Sequence, residues 1–206
     1  MIERGSPIEA RLIQLLKQQY SKERGGVHVS DLTLCIREQV FRKLDPKPLS
    51  DLDLSYFALG TGSHLALQRL ADIGKIESER HLEYKGVTGS VDLFEEIPIE
   101  VKTSRSQRLL TEPKSFWIKQ LSYYMAMIGS NVGIIFVFNM MNFNQPFISW
   151  TITLSNSEIK SLLDEIEKKA TNFSTALSSK DPFMANHVKN DPDLRWKCDR
   201  CAWEKP

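Results

Sequence analysis

Two carboxylates and an ammonium group stand at strand-like spacing in the middle of the chain. Gly89-Ser-Val-Asp92 is followed by Ile99-Glu100-Val101-Lys102. Side chains alternate along a strand, so Glu100 and Lys102 share one face while Val101 points to the other. If residues 88–103 form a hairpin turning near Glu96, Asp92 falls across from Glu100, with Cβ atoms about 5 Å apart. Carboxylates that close repel each other unless a cation joins them. A hard divalent ion, Mg²⁺ or Mn²⁺, suits such oxygen donors, and the Val101 carbonyl could add another. Lys102 beside them would favour hydroxide and neutralise charge building on a phosphate. The chemistry on offer is metal-assisted phosphodiester hydrolysis; the plain alternative is the solvated face of a hairpin.

Context gives this signature its weight. Glu-x-Lys occurs five times, at Glu83/Lys85, Glu100/Lys102, Glu112/Lys114, Glu158/Lys160 and Glu167/Lys169. Only the second lies in an apolar strand with an aspartate on a pairable strand upstream. Gly60-Thr-Gly-Ser-His64 precedes the hairpin in a helical stretch, where small residues would allow close packing on a sheet. His64 would be an imidazole ligand favouring Mn²⁺, or a satisfied helix histidine. Gln120 and Tyr124 lie at i, i+4 on one helix face and could hold a phosphate or base near the metal. Arg105 and Arg108 follow the Glu100/Lys102 strand and, with Lys114 and Lys119, could hold phosphates, with Phe116 and Trp117 stacking on unpaired bases. A solvated charged loop is the alternative there.

These groups need elements to position them. Residues 7–20 read as a helix with Ser6 before Pro7 as its start signal. Ser30 reads as the N-cap of a helix through Leu44, ended by the prolines of DPKP. Residues 53–74 read as a long helix ending at Gly74. Strand-like runs follow at 79–85, 88–94 and 97–103, then a helix over 115–129. VGIIFVFNM reads as a strand buried on both faces, PFISWTITL as another strand, and 157–179 as a helix capped by Ser155 or Asn156. The order implies an α/β fold: a central mixed sheet flanked by helices. A length of 206 residues fits one domain, 1–206: a helical part over 1–75, a core over 76–154, and a helix with a cysteine-bearing tail over 155–206.

Composition narrows the class. A net charge of +1 means that any basic footprint is local. No apolar run approaches the ~20 residues that span a bilayer. The start, MIERGSPIEA, has no apolar leader core, so a cytoplasmic location is expected. Three cysteines, Cys35, Cys198 and Cys201, argue against a disulfide framework and leave metal ligation or inert thiols. Cys198-x-x-Cys201 has ligand spacing.

G-x-x-x-H, G-x-x-D, E-x-K and Q-x-x-x-Y, in that order, resemble the RecB-like branch of the PD-(D/E)XK nucleases, closest to the CRISPR-associated RecB-type exonucleases. Val29-Ser-Asp-Leu-Thr-Leu-Cys35-Ile-Arg37 resembles the family's segment ending in Cys-Pro-Arg, with Ile36 at the proline position. The resemblance covers most of the chain. It implies a restriction-endonuclease-like core and a cysteine-bearing C-terminal segment packed on N-terminal helices. It implies a metal-dependent DNA nuclease, with single strands or ends as substrate and exonuclease favoured over endonuclease. CRISPR adaptation beside an integrase, DNA repair or viral DNA processing would be the setting, in a prokaryotic or virus-infected cell. Asp92, Glu100 and Lys102 would be catalytic, with His64, Asp92, Glu100 and Val101 at the metal. Gln120, Tyr124, Arg105 and Arg108 would contact substrate. Cys35, Cys198 and Cys201 would hold an iron–sulfur cluster, 4Fe-4S favoured. The family's fourth cysteine would fall just beyond Pro206; His187 is the substitute within the sequence, and with it zinc becomes the alternative. Two competing functions are a catalytically silent nucleic-acid-binding protein and a zinc-stabilised interaction domain on the same fold.

Overall fold

The computed structural model describes residues 7–21 and 24–203. Six strands make one mixed sheet: β1 (Val27–His28), β2 (Glu77–Tyr84), β3 (Val87–Glu95), β4 (Ile97–Ser104), β5 (Val132–Asn139) and β6 (Phe147–Thr153). The helices are α1 (Pro7–Tyr20), α2 (Val29–Leu32), α3 (Ile36–Leu44), α4 (Asp51–Gly74), α5 (Ser115–Ile128) and α6 (Asn156–Ser178). The expected α/β architecture is therefore present. Ser6, read as the start signal of α1, lies outside the described residues.

The sheet order is β1-β3-β4-β5-β6, with β2 paired to β3. The β3–β4 hairpin turns at Glu96, whose φ is 60°, and its ladder holds only Leu93↔Ile99, Phe94↔Pro98 and Glu95↔Ile97. β1 pairs in parallel with the start of β3, through Val87 and Thr88. Residues 89–91 of β3 thus pair with β2 on one edge and with neither β1 nor β4 on the other, and Asp92 has no ladder partner on either edge. This notch in the sheet opens onto the functional groups. β4 and β5 run parallel, with Glu100 beside Ile135 and Lys102 beside Val137. Ile135 and Val137 pack with Trp117, Leu121 and Met125, so α5 lies over the face that carries Glu100 and Lys102.

Caps explain the helix limits. Ser50 and Ser155 each accept a hydrogen bond from the N3 amide and complete a capping box, which starts α4 and α6. Gly129, at φ +72°, ends α5 in the left-handed conformation.

Three expectations are corrected. The helix read from Ser30 to Leu44 is two helices, α2 and α3, because the Thr33–Cys35 stretch is not helical and Cys35 caps α3. β5 alternates between buried and half-buried residues, because α5 covers one face and Phe136 and Phe138 stack on Phe147 across the other. Gly60 and Gly62 do not serve close packing, since a Cβ at either would meet nothing within 4 Å.

The C-terminal segment packs on α3. Arg37 donates to the Ala185 carbonyl and the Asn186 carbonyl accepts from the Arg37 amide, each at 3.2 Å. Trp203 donates to the Asp45 carbonyl at 2.8 Å and stacks on Phe41. Among the described residues no helix is long and apolar enough to cross a membrane.

Candidate active site

Asp92, Glu100, Lys102, His64, Gln120 and Tyr124 line one cavity of about 390 Å³. Four elements supply them: α4 gives His64, β3 gives Asp92, β4 gives Glu100 and Lys102, and α5 gives Gln120 and Tyr124. Gly89 sets the depth. A Cβ there would stand 2.7 Å from a Tyr124 ring carbon and 3.1 Å from Val29, so only glycine lets the Tyr124 ring rest on the strand.

Glu100 is 1% exposed. Its Oε1 accepts from the Lys102 ammonium, which also donates to Gln120 Oε1 at 2.8 Å. Gln120 in turn donates to the Tyr124 hydroxyl at 3.1 Å. Tyr124 and Gln120 thus orient Lys102 through a chain of hydrogen bonds. Glu100 Oε2 is buried and accepts no hydrogen bond. Burial pushes the Glu100 carboxyl up to about 7, against the pull of Lys102 and with the help of Asp92. Burial also raises the Tyr124 phenol above its ordinary range.

Asp92 would continue the β3–β4 register opposite Glu100, but the ladder stops one pair short. Its Oδ2 accepts the Val101 amide at 2.7 Å instead, and its Oδ1 lies 3.3 Å from His64 Nδ1. That hydrogen bond raises the His64 pKa against the effect of burial.

Glu79 is a functional candidate that sequence reasoning missed. It lies on β2 between the pairs Ser78↔Leu93 and Arg80↔Val91, opposite Asp92, at φ +53°. A non-glycine residue held left-handed inside a strand is strained by about 1–3 kcal/mol, and such strain gathers at functional sites. Glu79 lines the cavity and accepts from Gln68 at 2.5 Å. Burial raises its carboxyl pKa, with the Asp92 charge adding to the effect. Its one sequence signal is a carboxylate at the position facing Asp92, legible only once the β2–β3 register is known. Arg24 also lines the cavity, as do His28 and His81.

Other expected groups stand elsewhere. Val101, Arg105 and Arg108 do not line this cavity. Arg105 instead lies with its guanidinium 3.5 Å from the Tyr56 ring centroid. Arg108 is exposed. Lys119 pairs with Glu165 at 3.1 Å, and Lys114 lies over the Trp117 ring. Trp117 is 4% exposed in the core, and half-buried Phe116 packs against Trp117 and Trp196; neither lines the cavity.

Cys35, Cys198 and Cys201 form no disulfide. Cys198 Sγ lies 3.5 Å from His187 Nε2. Burial raises the Cys35 thiol pKa, and the Cys198 charge raises it further, which puts those two cysteines within electrostatic reach. Among the described residues, no group of three or more His, Cys, Asp and Glu side chains is disposed to hold a metal ion as it stands. In the cavity the reason is visible: Lys102, the Val101 amide and His64 engage three of the four carboxylate oxygens of Asp92 and Glu100.

The fold is a mixed α/β core with the cavity set at an interruption of its sheet. Solved structures of similar fold include the following. SSO0001, in its crystal structure, is similar over 97% of this chain and 95% of its own, at 23% identity and a TM-score of 0.58. A phage-related exonuclease from Haemophilus somnus 129PT is similar over 77% of this chain and 97% of its own, at 15% identity and a TM-score of 0.52. No protein-family model matches the chain, and no curated protein does.

Proposed function

We propose that this protein is a metal-dependent DNA nuclease of the PD-(D/E)XK type, RecB-like branch. The observation that carries the reading is the convergence of Asp92, Glu100 and Lys102 on one cavity, with Glu100 Oε2 buried and unpartnered. A buried carboxylate oxygen with no donor is costly, and a cation removes the cost. Asp92, Glu100 and His64, with Glu79 beside them, would hold Mg²⁺ or Mn²⁺; oxygen donors with one imidazole suit either ion. The bound ion would supply electrophilic activation of the phosphate and of the attacking water.

The chain's own residues do the rest. Lys102, aimed by Glu100 and Gln120, places a positive charge where negative charge develops on the phosphate. Tyr124 fixes Gln120 and thereby Lys102. His64 holds Asp92 Oδ1, and the Val101 amide holds Oδ2, so that carboxylate has one orientation. The substrate we favour is single-stranded DNA or a DNA end, cut as an exonuclease. The order of the motifs supports DNA processing of the kind found in CRISPR adaptation beside an integrase, in repair, or in viral DNA metabolism.

The test is cleavage of end-labelled single-stranded DNA with Mn²⁺ or Mg²⁺. Wild type should cut, and Glu100→Gln and Lys102→Ala should each lose about 100-fold or more. Binding without cutting by wild type under both ions would instead mark the silent nucleic-acid-binding protein.

The tail carries a second proposal. Cys198 beside His187, and Cys35 within reach of Cys198, support a metal tie between the tail and the start of α3. Cys35, Cys198, Cys201 and His187 would be its ligands. We favour an iron–sulfur cluster; zinc is the alternative and would suit an interaction domain as well as an enzyme. Elemental analysis of protein purified without oxygen, with its visible spectrum, separates the two. Neither iron nor zinc at stoichiometric level would leave three plain thiols.

A further inference from the structure

A second hollow, of about 500 Å³, adjoins the first. His64 and Glu79 line both, so the two meet at the residues opposite Asp92. Its wall is one side of α4, where Tyr56, Gly60, His64 and Gln68 follow at i+4 steps. Tyr56 and Phe57, adjacent on α4, line the hollow and are 40% and 42% exposed. Phe57 is braced by Tyr20 of α1, with ring centroids 5.4 Å apart. The Arg105 guanidinium lies 3.5 Å from the Tyr56 ring centroid and follows directly on β4, the strand that carries Glu100 and Lys102. The Tyr56 ring, which lines the hollow, is therefore in contact with a cation from the catalytic strand's end.

Gly60 supplies an independent sign. It sits inside α4, where glycine is a poor helix former. Its backbone needs no positive φ and no neighbour approaches it: a Cβ would meet nothing within 4 Å. What Gly60 provides is room in the hollow.

We propose that this hollow is a nucleobase slot, in which Tyr56 and Phe57, with Arg105 set against the Tyr56 ring, take an unpaired base of the strand whose phosphate lies at Lys102. The inference rests on the nuclease reading and deepens it. Bases stack on aromatic rings and on guanidinium planes, whatever their sequence. A paired base, stacked on both faces within a duplex, cannot enter a slot walled by a helix. The slot thus selects single strands or frayed ends through the base, while the catalytic cavity holds only the phosphate.

The experiment measures binding of a fluorescein-labelled thymidine oligomer, and of an abasic oligomer of equal length, with Ca²⁺ present. Wild type should bind the thymidine oligomer about 10-fold or more tightly than the abasic one, a ratio set by base stacking. Tyr56→Ala and Gly60→Leu should abolish that preference, and Tyr56→Phe, which keeps the ring, should retain it. Gly60→Leu replaces glycine with a strong helix former in open space, so it tests the slot without a folding defect; thermal melts of each variant verify this. Equal binding of the two oligomers by wild type, or an undiminished preference in Gly60→Leu, overturns the slot. Cleavage is scored separately. If wild type cuts neither oligomer but keeps the base preference, the nuclease reading falls and the slot stands. If it cuts the thymidine oligomer without any base preference, the reverse holds.

Discussion

Glu100 puts a carboxyl where it is 1% exposed, and its pH dependence follows from that. The carboxyl is raised from the ordinary glutamate range to about 7, chiefly by burial. In the unfolded chain it titrates near 4.5. A group whose folded pKa is raised stabilises the fold fully below its unfolded value and loses that contribution as pH rises through the folded value. Without divalent ions, stability should therefore fall between pH ~4.5 and pH ~7, by roughly 3 kcal/mol from this group. Glu100→Gln is a neutral copy of the protonated side chain and lacks this titration. In EDTA, denaturant melts of Glu100→Gln should match wild type near pH 4.5 and exceed it increasingly up to pH ~7, with the gap constant above. A gap that does not change with pH would show that Glu100 titrates normally and that Lys102 alone sets its charge. Function runs the other way: the carboxylate that weakens the apo fold is the one a cation would need.

At the scale of elements, two glycines show how backbone and site trade against each other. Gly89 on β3 is in contact, with Tyr124 of α5 on top of it; Gly60 on α4 touches nothing. Gly60→Ala should raise stability by about 0.5–1 kcal/mol, the helix-propensity difference. Gly89→Ala should cost about 1–3 kcal/mol, through overpacking against the buried Tyr124 ring. It should also lower cleavage, because Tyr124 and Gln120 no longer aim Lys102. Melting curves of both variants and cleavage by the second check this pair; a neutral Gly89→Ala would mean that the ring has room to shift. The same contrast shows what the sequence made legible. Long helices with serine caps, and strands with apolar runs, were readable because periodicity and capping are local. The cluster of Asp92, Glu100, Lys102, His64, Gln120 and Tyr124 was readable because the order of motifs along the chain mirrors their meeting in space. β1 was not, since two residues, Val27 and His28, carry no period and are strand only through Val87 and Thr88. Glu79 was not, because its place depends on a left-handed residue inside a strand. Phe116 and Trp117 were read as candidates to stack on unpaired bases, but long-range packing puts Trp117 in the core and turns Phe116 toward Trp196.

At the scale of the whole molecule, the C-terminal segment is tied to α3, and a buried charge marks the junction. Glu38 is 5% exposed and is held by Arg42 of its own helix at 2.8 Å and by Lys197 of the tail at 3.1 Å. Arg42 also lies over the Trp203 ring, so the two cations are shared between ion pair and tail packing. Lys197 is the more buried cation of the two, with its side chain 16% exposed against 45% for Arg42. Removing it leaves a desolvated carboxylate with Arg42 on Oε1 alone and takes the ammonium away from Oε2. Lys197→Met should thus destabilise the protein by about 1–3 kcal/mol. Paired with Glu38→Gln, which removes the buried charge, the loss should shrink, giving a coupling of about 1 kcal/mol or more in a double-mutant cycle. The effect should also be local. With the tail released from α3, limited proteolysis should cut within 186–203 faster in Lys197→Met than in wild type, while the α5–sheet core stays protected. If the tail is held mainly by a metal at Cys35, Cys198 and Cys201, chelation should open the same segment in wild type, and Lys197→Met should add little once the metal is gone. Additive effects of chelation and Lys197→Met would assign the tie to the ion pair and the metal independently; protection unchanged by either would leave Trp203, against Phe41 and the Asp45 carbonyl, as the anchor.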